Sequence, residues 1–279
     1  MQPAAAVVRW AGMSPRFAAL FLGALAAAAS PAFADDRLAQ ARTFYNQELY
    51  ELAIKEAAAA QSDHQVADEA SLIVARANLE RYRQTHDTTN LTAAREALRA
   101  IDASKLSADE QTELTVGLGE WLFLDDRYGA AAELFDTALA RADVPADPRD
   151  RVLDWWATSM DRHAQDTPVH RLELYQRIVD RMEHELRQRP TSVAAAYWLP
   201  AAARSMGDLD RAWTAAVAGW LRARVLPSHG AALRADLDRL VQTAIIPERA
   251  RELAGSPQGT SDAVDVMTAE WEHLKTEWN

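Results

Sequence analysis

Apolar residues recur at intervals of three and four along almost all of the chain after Asp35, and no stretch alternates as a half-buried strand would. The pattern predicts an all-α protein, with helices at about 36–47, 66–84, 108–124, 148–163 and 192–206. Each is followed by a second apolar-periodic segment that carries a recurring motif. A large apolar residue is followed three positions on by Ala, then by core positions four and seven further along. The copies are Tyr50, Ala53, Ala57, Ala60, then Leu91, Ala94, Leu98, Ile101, then Tyr128, Ala131, Phe135, Ala138. A degraded copy, Val169, Leu172, Gln176, Val179, comes next, and Leu209, Ala212, Ala216, Gly219 is the fifth. Their second members recur every 37–41 residues. Spacings of three, four and seven share one helix face, and the central Ala lets a neighbouring helix approach closely.

Turn signals separate the paired segments. Asp125-Asp126-Arg127 lies between two of them, and Gly207-Asp208 between two others, with Gly as a helix stop. Pro145 and Pro148, Pro190 and Pro227 fall between pairs, where a helix is not continued. Gly119, Leu122, Tyr128, Ala131, Phe135, Ala138 and Pro145 together resemble the tetratricopeptide repeat family. So do Ser205-Met206-Gly207-Asp208-Leu209-Asp210-Arg211-Ala212 and Leu49-Tyr50-Glu51-Leu52-Ala53-Ile54. The resemblance covers roughly 36–226, at a step longer than the family's usual ~34 residues. It implies a right-handed α-solenoid of about five helix pairs over 35–227, with a C-terminal helical tail at 228–279 as its cap.

Within that tail, His229 to Ile245 reads as one amphipathic helix that Pro247 breaks, followed by a short helix over Glu248–Leu253. Gly255-Ser256-Pro257-Gln258-Gly259 reads as a linker. A last helix capped by Ser261 or Asp262 would present Val264, Met267, Trp271, Leu274 and Trp278. That helix either folds back as the cap or docks on a partner.

The start of the chain changes the setting. Arg9 and Arg16, an unbroken apolar stretch from Phe17 to Ala29 and the small-x-small site Ala32-Phe33-Ala34 predict a signal peptide over 1–34. The apolar stretch is short and Ala-rich for a retained span. Cleavage leaves 245 of the 279 residues, and losing Arg9 and Arg16 moves the net charge from −11 to −13. The expected location is periplasmic or secreted, with no membrane span left after cleavage. The acidic balance argues against a nucleic-acid partner. With no Cys there is no disulfide, thiolate metal site or cysteine nucleophile.

No catalytic constellation emerges. The seven His (His64, His86, His163, His170, His184, His229 and His273) form no zinc motif. There is no nucleophile elbow and no phosphate-cradling glycine loop, so no enzyme, metal or cofactor is expected. Trp155 and Trp156 stand about 100° apart on one helix, so one of them is expected in the core while the other leans outward.

In the resembled family the first helix of each pair lines a concave groove. Carried onto this sequence, that implies Arg42, Tyr45 and Asn46 in the first copy. The third offers Val116, Glu120, Phe123 and Leu124, and the fifth Tyr197, Ala201 and Arg204. Arg42 and Arg204 would hold a peptide carboxylate, and Tyr45, Phe123 and Tyr197 would take apolar side chains. The leading expectation is therefore a non-catalytic scaffold for a protein or peptide. Two rivals stand beside it: a small-ligand-binding component of an envelope transport system, and a structural assembly factor of an envelope complex. A closed pocket lined by Trp155 or Trp156 and Trp198 would favour the first of them.

Overall fold

Short polar side chains and glycines punctuate the chain where the helices begin and end. The computed structural model describes residues 32–141, 146–226, 229–254 and 256–278. Most of the expected leader, residues 1–31, and Pro145 and Pro227 lie outside the described residues. The described residues are helical, without a strand. They fall into two compact units, residues 1–138 and 139–279.

The first unit holds α1 (Ala32–Asn46), α2 (Tyr50–Ala60), α3 (Ala67–Thr85), α4 (Thr88–Ala100), α5 (Ala108–Leu124) and α6 (Tyr128–Leu139, whose last residue falls to the second unit). Sequential helices pack side by side, and α3 also touches both α1 and α5. The motif alanines do what their size allows. Ala53, Ala57 and Ala60 are fully buried and form one core with Leu38, Ala41, Ala70, Ile73 and Ala77. A second core gathers Leu72, Ala75, Leu98, Leu106 and Leu114. Gly119 shows the same logic at its limit. A Cβ there would stand 2.8 Å from the Phe135 ring, so only Gly lets α5 and α6 come this close.

The second unit holds α7 (Ala146–Asp166), α8 (Arg171–Gln188), α9 (Val193–Met206), α10 (Leu209–Arg222), α11 (Gly230–Leu240), α12 (Ile246–Leu253) and α13 (Pro257–Glu277). Gly207 ends α9 at φ +85°, and the Asp208 carboxylate then caps α10 by accepting from the Arg211 N–H at 3.0 Å. The start of α9 is capped from another helix. Asp150 of α7 accepts from the N–H groups of Val193 at 2.7 Å and Ala194 at 3.2 Å, and from the Ser192 hydroxyl. Trp156 is buried and Trp155 only partly so, as adjacent helix positions require.

Three expectations need correction. The first half of the fourth motif copy is misplaced: Val169 is 92% exposed and Leu172 62%, whereas its last member, Val179, is buried together with Tyr175 and Met182. Pro168 opens a 3-10 turn that delays α8, so the inward stripe sits three residues later. Pro247 does not break the tail helix. The backbone widens into a π-turn at Val241–Ile245 and runs straight into α12, with Pro247 in its first turn. The extra residue of a π-turn accommodates a ring that would otherwise clash with the preceding turn. Finally, α13 starts earlier than expected. Ser256 caps it by accepting from the Gly259 N–H at 3.1 Å and Pro257 occupies its first turn, so 257–259 is helix and not linker.

α13 packs on α12 and buries Met267 and Trp271. The Trp271 ring meets Trp220 and Trp213 edge-on, at 5.3 and 5.9 Å, and its Nε1–H donates to Asp238 at 2.8 Å. Lys275 donates to the same carboxylate at 2.8 Å.

Candidate functional site

In the first unit, α1, α3 and α5 bring residues of like helical phase to one recess of about 200 Å³. α1 contributes Arg42, Tyr45 and Asn46, α3 contributes Glu69, Leu72, Ile73 and Arg76, and α5 contributes Glu110 and Glu113. Spacings of three in every set, with four in the α1 and α3 sets, put each helix's contribution on one face.

The mouth of the recess is ionic. Arg42 Nη2 donates to Glu69 Oε2 at 2.8 Å and to Glu110 Oε1 at 2.7 Å. Glu110 is also fixed by its own helix start. Its Oε2 accepts from the Ser107 N–H at 3.0 Å while Ser107 Oγ accepts from the Glu110 N–H at 3.3 Å, a capping box. Burial works to raise the Glu110 carboxyl, but the Ser107 hydrogen bonds and the Arg42 charge outweigh it and hold it below its ordinary value. Glu69 goes the other way. Burial first, then the neighbouring Glu110 charge, lift it above the ordinary value, and Arg42 offsets this only in part.

Deeper in, the Arg76 guanidinium lies 5.1 Å from the centre of the Tyr45 ring, and its Nη1 donates to Glu113 Oε2 at 3.1 Å. Its Nε is buried with no hydrogen-bond partner among the described residues. Burial alone would lower Arg76, but the surrounding Tyr45, Glu120 and Glu113 raise it. Burial also pushes the Tyr45 hydroxyl up, with Arg76 acting against it. Glu120 is itself buried. Arg42 and Arg76 thus meet Glu69, Glu110 and Glu113 in the recess, and Glu120 acts on Arg76 from outside its lining.

The structure brings together only part of the set expected from sequence. Arg42, Tyr45 and Asn46 line the recess, and Glu120 acts on it electrostatically. Phe123 lies elsewhere, edge-on to Tyr128 across the α5–α6 turn at 5.3 Å. Tyr197 and Arg204 belong to α9 of the second unit. There Tyr197 packs edge-on to Trp198 at 5.7 Å, and its hydroxyl is pushed up to about 12 by burial and by Asp236, Asp154 and Asp161. Arg204 grips Glu248 of α12 through Nε at 2.8 Å and through Nη2. Both arginines assigned to a ligand carboxylate are therefore already paired with carboxylates of the chain. Sequence reasoning missed Glu69 and Arg76 because the loose second copy was not carried over, and Glu110 and Glu113 because the third copy was carried over only further along α5, at Val116, Glu120, Phe123 and Leu124. One signal was legible: Ser107-Ala108-Asp109-Glu110 has the spacing of a capping box, which marks where α5 starts and which way Glu110 points.

A wider recess of about 520 Å³ in the second unit is lined by Arg149, Arg181, His184, Gln188 and Arg189, among others. Its most buried cation is fully engaged. Arg149 donates to Glu185 through Nε at 2.8 Å and Nη2 at 3.0 Å, and through Nη1 to the Leu139 carbonyl at 2.6 Å. Trp155, Trp156 and Trp198 line neither recess. Among the described residues, no three metal-ligating side chains gather, and no helix is long and apolar enough to cross a membrane. Comparison with family models, with curated proteins and with solved structures returns no match for this chain.

Proposed function

We propose that this chain is an exported, non-catalytic helical-repeat scaffold that holds a protein or peptide partner on the first-helix face of the first unit. The observation that carries the reading is the convergence of α1, α3 and α5 on one ionic recess of about 200 Å³. That is below the ~300–1,000 Å³ of small-molecule sites, and it suits one anchored side chain of a longer ligand. Asn46 stands exposed at its edge, and a carboxamide both donates and accepts, as a peptide backbone requires. The reading carries with it the tetratricopeptide-like solenoid, the capping role of the tail and a periplasmic or secreted setting.

A photo-crosslinking residue at Asn46 tests this in the native envelope, with the same residue at the exposed Lys55 of α2 as control. A discrete protein adduct from Asn46 alone is expected. Adducts from Lys55 but none from Asn46 would sink the reading. The 520 Å³ recess gives the small-ligand alternative its one specific support, since its volume lies in the small-molecule range. Native mass spectrometry of the purified chain would show a released small molecule if that alternative holds.

A further inference from the structure

We propose that the recess of about 520 Å³ in the second unit is a separate binding site, which takes the phosphate group of a phosphate ester on Arg189, His184 and Gln188 of α8. This site does not depend on what the first unit holds.

Every titratable side chain among the described residues lining the recess is basic: Arg141, Arg149, Arg181, Arg189 and His184. Arg141 and Arg181 are engaged with other groups of the chain, and the Arg181 guanidinium also lies 5.3 Å from the centre of the Trp156 ring. Arg149 is buried and occupied. It grips Glu185 through Nε at 2.8 Å and Nη2 at 3.0 Å, and its Nη1 donates to the carbonyls of Leu139 at 2.6 Å and Arg141 at 3.3 Å. Those carbonyls close the end of α6, and uncovered they would repel an anion. Glu185 is 1% exposed, so an entering ligand meets the guanidinium groups before the carboxylate.

Arg189 brings a second cation to that one carboxylate. It spends only Nη1 on Glu185, at 3.1 Å, and is 34% exposed. Among the described residues, its Nε and Nη2, the His184 ring and the Gln188 carboxamide have no hydrogen-bond partner. His184 and Gln188 are exposed and one turn apart on α8, with Arg189 directly after. A guanidinium, an imidazole N–H and a carboxamide N–H are all donors. A phosphate monoester offers them three terminal oxygens, where a carboxylate offers two. The volume lies within the ~300–1,000 Å³ of small-molecule sites, which leaves room for the esterified group.

Calorimetric titration of the purified chain tests the proposal, in about 0.15 M salt so that attraction between exposed charges is screened. The probes are glycerol 3-phosphate, inorganic phosphate and phosphatidic acid vesicles, with glycerol as the blank. Saturable binding of an ester probe is expected, weakened about tenfold or more in Arg189→Gln and unchanged in Arg99→Gln, an exposed arginine of α4. If Arg189→Gln loses its helical circular dichroism, His184→Ala with Gln188→Ala takes its place under the same requirement. Binding of glycerol 3-phosphate assigns a soluble ester and binding of the vesicles alone a lipid headgroup, and either supports the proposal. Binding of inorganic phosphate alone overturns the ester. No saturable binding, or a loss in Arg99→Gln equal to that in Arg189→Gln, or none in Arg189→Gln, overturns the site and leaves the peptide scaffold reading standing.

Discussion

Arg42 in the first unit and Arg149 in the second make the same kind of contact, yet they serve opposite ends. Arg149 and its partner Glu185 are 8% and 1% exposed, the pair is bidentate, and the remaining donors reach the carbonyls of Leu139 and Arg141. Arg189 completes the triad at 3.1 Å from Glu185. Arg42 is 49% exposed and spreads one nitrogen over two acids, Glu69 and Glu110. A buried and saturated ion pair locks helices together. A half-exposed one contributes much less to the fold. The difference lies in burial and stoichiometry, since the residue types are the same.

The sharpest break of that comparison is Glu185→Gln. It strands Arg149 and Arg189 beside a neutral amide, and a loss of about 3–5 kcal/mol is expected by urea unfolding. A loss under about 1 kcal/mol would place Arg149 in the same class as Arg42. Gly119→Ala comes next. A methyl there would press on the Phe135 ring, at a cost of about 1–3 kcal/mol. An unchanged melting temperature would show that α5 and α6 have room to spare.

The pH dependence separates the two regions by sign. Burial opposes the Glu185 charge, but Arg149 and Arg189 outweigh it and hold the carboxyl below its ordinary 4.5. Its contribution is therefore complete above 4.5 and is lost as pH falls through the depressed value. The stability gap between wild type and Glu185→Gln should narrow in acid. Glu69 lies above its ordinary value, so its contribution is complete below 4.5 and is lost as pH rises through the raised value. Wild type should lose ground to Glu69→Gln as pH rises. Urea midpoints across the acid range check both, and gaps that move together would erase the contrast. The smallest effect is that of Arg42→Gln, under about 1 kcal/mol for a half-exposed pair. A larger loss in thermal melts would make Arg42 a structural residue.

The paired helices were legible because apolar spacing and small residues act locally. Ala53, Ala94, Ala131 and Ala212 are all fully buried, as the motif requires. The fourth copy failed because Val169 and Leu172 match the motif by type while Pro168 shifts the helix start. Of the recess, the α1 face with Arg42, Tyr45 and Asn46 was legible. Its partners Glu69, Arg76, Glu110 and Glu113 were not, because they come from helices whose copy was loose or whose phase was read one turn away.

By itself, the sequence determined where the helices lie, which faces are apolar and that acids outnumber bases. Those properties follow from neighbours three and four apart and from counting charges. Only the tertiary structure decided which charges meet. Arg42 finds Glu110 across 68 positions, and Arg149 finds Glu185 across 36. The worth of such a pair depends on the solvent left around it, which no local spacing encodes.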